Sequence, residues 1–135
     1  MIVCATIVEG HRVLLVSHAD VKKPDYGNWL LPAGSVEAGE SLETALKREV
    51  NEELGMRIKV IKKLVEHTDP YTKDRLVNFL CTPTASRIET SSELSETKWF
   101  DAEEIQMLEN IHAGLKQFLT DGFKSNAFRV LKRTT

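Results

Sequence analysis

Three glutamates crowd the end of one predicted helix. Residues 48–55 read REVNEELG, placing Glu49, Glu52 and Glu53 just before a glycine. Leu46, Val50 and Leu54 recur at i, i+4 spacing, the pattern of an amphipathic helix stopped at Gly55. On that helix the three carboxylates fall within about 100° of arc, beside the apolar ridge. A helix C-terminus carries partial negative charge and favours Lys or Arg, and Glu49 and Glu53 repel as a like-charge i, i+4 pair. Within the helix neither has a basic residue four positions on, whereas Glu43 and Lys47 form an ordinary surface pair. Clustered anions raise one another's pKa unless a cation joins them, and hard oxygen ligands suit magnesium or manganese. A local rule broken without visible compensation points to a functional site.

The elements around this helix must hold the carboxylates in place. Residues 2–8 and 12–17 are rich in β-branched types and flank Glu9-Gly10-His11, which reads as a hairpin. Residues 18–28 read as a loop, Trp29 to Leu31 as a short strand ended by Pro32, and 33–40 as a second loop. The helix spans about Ser41 to Leu54. Strands at 57–67 and 74–82 follow, joined by the turn DPYTK, then a polar irregular stretch at 83–95 and a short strand at Lys98 to Phe100. Asp101 to Glu104 fits a D-x-x-E capping box, opening a helical region that runs, with a break, to about Leu119. Strands, loop, helix, strands and helix in that order predict a mixed sheet with helices on its faces.

Bulk properties narrow the function classes. The chain has 135 residues, a length that suits a single domain over 1–135. Lys plus Arg is 18 and Asp plus Glu is 20, a formal net charge of −2, which offers no global basic footprint for nucleic acid and no polybasic membrane anchor. No apolar run approaches a membrane span, and the first residues carry neither a basic n-region nor a cleavage site. Cys4 and Cys81 lie in apolar runs with no CxxC or Cys/His cluster, so both read as buried free thiols in a cytoplasmic, reducing setting. Oligomeric state is left open, a homodimer included.

Residues 34–56, GSVEAGESLETALKREVNEELGM, resemble the Nudix box, G-x5-E-x7-R-E-U-x-E-E-x-G-U, where U is aliphatic. Gly34, Glu40, Arg48, Glu49, Val50, Glu52, Glu53 and Gly55 fall at the required spacing, and Met56 fills the last apolar position. Trp29-Leu-Leu-Pro32 before the box, and a strand, a helix and Trp99 after it, extend the likeness over most of the chain. The resemblance implies an α/β/α sandwich of the Nudix type, a mixed β-sheet flanked by helices. It also implies a hydrolase that cleaves the pyrophosphate of a nucleoside diphosphate linked to another group, such as a nucleoside triphosphate or ADP-ribose. In that reading Glu49, Glu52, Glu53 and the Gly34 carbonyl hold Mg2+ or Mn2+. Arg48 pairs with Glu40 or Glu49 and fixes its orientation, as the planar guanidinium fork allows; Arg48 and Glu40 count among the catalytic candidates, and Arg48 also among the substrate contacts.

Outside the box, a loop acid a few positions before a Trp serves MutT-like members as metal ligand or general base. Glu93 is the first candidate by its spacing to Trp99 and Glu96 the second, with Glu49 a rival for the base role. Trp29, Tyr26, Tyr71 and Phe79 are candidate platforms for a nucleotide base, Phe79 and Trp99 fitting the core better. The four histidines are scattered and receive no role. Pro70 and Tyr71 do not fix the substrate class. Two other readings use the same fold: a non-catalytic nucleotide or ADP-ribose sensor, disfavoured by the complete box, and an RNA-end processing enzyme. The latter wants a basic groove, for which Lys124, Arg129, Lys132 and Arg133 are the local source.

Overall fold

The computed structural model describes residues 1–22, 26–68, 73–85 and 94–129. Its elements are β1 (Ile2–Glu9), β2 (Arg12–His18), β3 (Ala33–Ser35), α1 (Leu42–Leu54), β4 (Arg57–Thr68), β5 (Arg75–Ala85), β6 (Leu94–Phe100), α2 (Ala102–Met107) and α3 (Ala113–Lys124). The sheet is mixed, in the order β4-β5-β1-β2-β6, with β3 paired to β1. β1 is central and runs parallel to β5, with Val3 opposite Val77 and Ile7 opposite Cys81. A strand covered on both faces should be apolar throughout, and residues 3–8 of β1 are all buried.

Alternation along the strands feeds two cores. Val3, Ala5 and Ile7 meet Ala45, Leu46, Val50 and Leu54 of α1 on one face. Val8, Val13, Leu15, Leu80 and Phe100 meet Ile105, Leu119 and Phe128 on the other. Ser41 caps α1, its hydroxyl accepting from the Thr44 N–H, a contact worth about 1 kcal/mol. Gly55 closes the helix in the left-handed region at φ 60°, where glycine is favoured. Asp101 and Glu104 form the expected reciprocal capping box on α2.

The expected hairpin is short. β1 and β2 share only the rungs Val8–Val13 and Glu9–Arg12, then diverge, and beyond them the edge of β1 that faces β2 is taken up by β3 and Pro32. Residues 30–35 fill the gap. The Ala5 N–H donates to Pro32 O, and Leu30 and Val16 exchange backbone hydrogen bonds. This corrects two expectations: Trp29 and Leu30 form isolated bridges rather than a strand, and residues 33–35 of the expected loop form β3. The pairing of β3 with β1 supplies backbone partners that the local sequence does not. β5 and β6 also reach further into the polar 83–95 stretch than its composition suggests. The last helix continues past Leu119 to Lys124, because Gly122 allows Phe128 to pack directly against it.

Candidate active site

The helix α1 presents its acidic end toward β3. Leu46, Val50 and Leu54 are buried, which fixes the rotation of α1 and turns Arg48, Glu49, Glu52 and Glu53 away from the core beneath. Arg48 is the hub of this surface. Its Nε and Nη2 donate to the two oxygens of Glu40 at 2.8 and 2.9 Å, a bidentate pair. Nη1 donates to Glu49 at 2.9 Å and to Glu52 at 3.3 Å, and Nη2 also donates to the Ser35 carbonyl at 3.1 Å. All five guanidinium N–H groups are thereby directed at acceptors.

These contacts correct the view that the carboxylates lack a compensating charge. Arg48 stands four positions before Glu52 and beside Glu49, so it offsets two of the three. Its hydrogen bonds hold the Glu40 carboxyl well below the ordinary value of 4.5, at about 2, helped by the Glu37 N–H that donates to the same carboxylate. The bond to Glu40 in turn raises the Arg48 pKa. Glu40 itself sits ahead of the Ser41 cap, so the loop and the helix start are tied to the helix middle.

Gly34 in β3 faces Glu49 at very short range. A β-carbon built on Gly34 would lie 2.0 Å from the Glu49 carboxyl carbon and 2.3 Å from its Oε2. Any side chain at position 34 would displace that carboxylate, so the glycine is required by contact rather than by a turn. Gly34 is held in register by β1, opposite Val3. Among the described residues no three His, Cys, Asp or Glu side chains converge tightly enough to enclose a metal ion, and Arg48 is the cation beside Glu49 and Glu52. The oxygen-only donor set of Gly34, Glu49, Glu52 and Glu53, gathered at one helix end, fits a hard divalent cation in type.

Beside this surface lies a cavity of about 680 Å³, the size range of small-molecule sites. Glu53 lines it, joining the acidic end of α1 to the cavity. Cys4, Leu76, Asn78, Val65 and His67 line it from β1, β5 and β4. Leu30, Leu31 and Ala33 contribute from the segment wedged between β1 and β2, and Val16 and His18 from β2. His112, Gly114, Leu115 and Phe118 close it from the start of α3.

Sequence reasoning named the acidic residues but missed this chamber. Three histidines given no role, His18, His67 and His112, line its walls from β2, β4 and the residue capping α3, a shared boundary that separate positions in the chain do not reveal. Asn78 did carry a signal, as the one polar residue inside the apolar run VNFLC of β5. It is 4% exposed and its Oδ1 accepts from the Thr6 hydroxyl at 2.8 Å. Burying an amide group without a partner costs about 1–3 kcal/mol, so such a residue in a sheet calls for an explanation.

Other expected contributors are placed elsewhere. Trp29 is 8% exposed and packs edge-on against Phe100 at 4.9 Å between ring centroids, within the second core. Its backbone N–H donates to Asn110 O. The ring is therefore placed largely within the core. Phe79 and Trp99 pack against the first core, as their positions suggested. Tyr26 is half exposed on the surface. Glu96 lies on β6 opposite Ser17 and is exposed. Tyr71 and Glu93 lie outside the described residues, as do Pro70, Lys132 and Arg133. Cys4 and Cys81 are free and buried, and burial pushes both thiols up to about 12. Among the described residues no helix is long and apolar enough to cross a membrane.

Comparison with known proteins agrees with this geometry. The family model for the NUDIX domain matches residues 1–122. An NAD-capped RNA hydrolase, NudC, from Haemophilus influenzae is 32% identical over 104 residues, covering 73% of this chain and 39% of that protein. The human 8-oxo-dGDP phosphatase NUDT18 is 37% identical over 107 residues, covering 78% of this chain and 30% of that protein. The chain thus spans well under half the length of these two relatives. A NUDIX hydrolase from Nitrosomonas europaea superposes with a TM-score of 0.81 at 24% identity, covering 91% of this chain and 69% of the other. Since the residues of the box, the close approach of Gly34 to Glu49 and the match over residues 1–122 all coincide, the chain belongs to the NUDIX family.

Proposed function

We propose that the chain is a divalent-metal-dependent pyrophosphohydrolase, taking a nucleoside diphosphate linked to a second group and splitting its P–O–P bridge with water. The observation that carries the reading is the position of Glu49, laid against the Gly34 backbone and steered by Arg48, at the helix end that leads through Glu53 into the cavity. NUDIX hydrolases generally use a divalent metal. Gly34, Glu49, Glu52 and Glu53 would hold it here, and magnesium is the ion proposed. When bound, such an ion offsets the charge of the diphosphate and acidifies a coordinated water.

The chain's own residues perform the rest. The cavity takes the nucleoside end and leaves the diphosphate over the acidic end of α1. Glu49, or Glu93 in its place, accepts the proton of the attacking water. The new bond is oxygen to phosphorus, the bond broken is from that phosphorus to the bridging oxygen, and both products leave as phosphates. Arg48 does not meet the substrate in this scheme. It positions Glu40, Glu49 and Glu52, whose mutual repulsion would otherwise spread them. The names of the two relatives both describe nucleotide-derived substrates, which supports the class without choosing the second group.

The deciding experiment is a panel of nucleoside triphosphates, nucleotide sugars and dinucleotides incubated with magnesium, with products identified by mass. Cleavage at the pyrophosphate, abolished by chelator, is the expected result. Tight binding with no turnover of any member under magnesium or manganese would sink the enzyme in favour of a sensor.

A further inference from the structure

We infer that Asn78 is a specificity-determining residue, whose side-chain amide selects nucleosides with a carbonyl oxygen on the base over those with an amino group there. The inference rests on the pyrophosphohydrolase reading for the identity of its ligand. Asn78 carries two N–H donors and one carbonyl oxygen. The oxygen accepts from the Thr6 hydroxyl at 2.8 Å, and the two N–H groups find no acceptor among the described residues.

The direction of the amide follows from the sheet. Asn78 shares a face of β5 with Leu76, and stands opposite Val65 of β4 and Cys4 of β1. Leu76, Val65 and Cys4 all line the cavity with it, so its side chain rises from the cavity floor. Thr6, two residues beyond Cys4 on the same face, is fully buried beneath. Its hydroxyl holds the oxygen edge of the amide inward and leaves the N–H2 edge toward the chamber. A buried donor discriminates, because a ligand that turns another donor toward it leaves that group unpaired. Leu30, Leu31, Leu115 and Phe118 supply the apolar part of the lining, and His18, His67, His112 and Glu53 the polar part. A 6-oxopurine or 4-oxopyrimidine presents the required acceptor, and a 6-aminopurine presents a donor at the same place.

Inosine and adenosine substrates with the same second group test this, since they exchange a carbonyl for an amino group at ring position 6. The wild-type protein should favour inosine by tenfold or more in kcat/KM, with the difference in KM. Asn78→Leu, close in size and without polar atoms, should bring the two within about threefold, chiefly by raising KM for the inosine substrate. Thr6→Val keeps the shape of the hydroxyl residue but frees the amide to turn over, so it should erase the preference with Asn78 intact. Equal kcat/KM for the two substrates in the wild type, or a preference that survives Asn78→Leu, would overturn the inference. Should neither substrate be hydrolysed, calorimetric Kd values for IMP and AMP carry the same comparison. A missing turnover then counts against the enzyme, and equal affinities count against Asn78. Melting curves of both variants confirm that they fold.

Discussion

The carboxyl group of Glu49 occupies the space in which a side chain at residue 34 would begin, 2.0 Å from an ideal β-carbon on Gly34. Position 34 carries no positive-φ requirement, since Gly10, Gly27, Gly39 and Gly55 are the described glycines with that conformation. Gly34→Ala should therefore leave the backbone unstrained and push the Glu49 carboxylate aside. Because the displaced atoms are the end of a flexible side chain, thermal stability should fall by no more than about 1 kcal/mol. Turnover should fall on the order of a hundredfold, as expected when a group that stabilises transition-state charge is misplaced. Paired measurements of melting temperature and kcat separate the two effects, and equal losses in both would mean that Gly34 is merely structural.

Glu53 links the acidic helix end to the cavity. If it holds a divalent ion, magnesium should raise the melting temperature of the wild type, by about 2.7 kcal/mol in stability at a hundredfold excess over Kd. Glu53→Gln should show a smaller rise. In chelator the same variant should melt at or above the wild-type temperature, since it removes one of the charges that oppose the helix dipole. A clear loss in chelator would show that the contacts of Glu53 within the fold outweigh that repulsion.

Glu40 titrates at about 2 in the fold against 4.5 ordinarily, chiefly through its hydrogen bonds from Arg48. A carboxylate lowered on folding stabilises the native state fully above its ordinary value and loses that contribution as pH falls toward the native one. Glu40→Gln should lower the melting temperature at pH 7. The gap from wild type should stay constant down to about pH 4.5 and close between there and about pH 2. Melting curves across that range decide it. A gap unchanged at pH 2.5 would mean that the Arg48 contacts do not depend on the charge of residue 40.

Two acids compete for the base role. If Glu93 accepts the proton, Glu93→Gln should lower kcat by on the order of a hundredfold with little change in KM, and Glu96→Gln should do far less. If Glu49 is the base, Glu93→Gln should stay within about threefold of wild type, as a surface change worth a few tenths of a kcal/mol would. Steady-state kinetics of the two variants at saturating magnesium distinguish these cases. A large loss in Glu96→Gln alone would point to the exposed acid on β6.

Residues 34–56 were legible because nearly every feature there is local. A serine cap, a glycine stop and an i, i+4 ridge each report on neighbours within a turn, and α1 runs from Leu42 to Leu54 between Ser41 and Gly55. The family pattern added the carboxylates. The compensation by Arg48 was harder to see, since its partners include Glu40 eight residues earlier across the loop. The cavity was illegible for a different reason: its walls come from β1, β2, β4, β5, α1, α3 and the segment before β3, and no short window contains two sides of it. The hairpin is present, and its short extent was not legible. The two strands pair only next to the turn, and farther along the same edge of β1 is covered by β3, a partner about thirty residues away that no local pattern announces.

The parallel pairing of β1 with β5 has a consequence for the newborn chain. Thr6 and Asn78 are separated by 72 positions in sequence. At roughly 5–20 residues per second of synthesis, β1 waits several seconds before β5 has been made. Until then its apolar length has only the two rungs to β2 and the short β3 to cover one edge. Non-local pairings of this kind are slow and leave a strand edge open to other chains. The same strand that floors the chamber is therefore left with an open edge while translation proceeds, and the chamber is among the last parts of the molecule to exist.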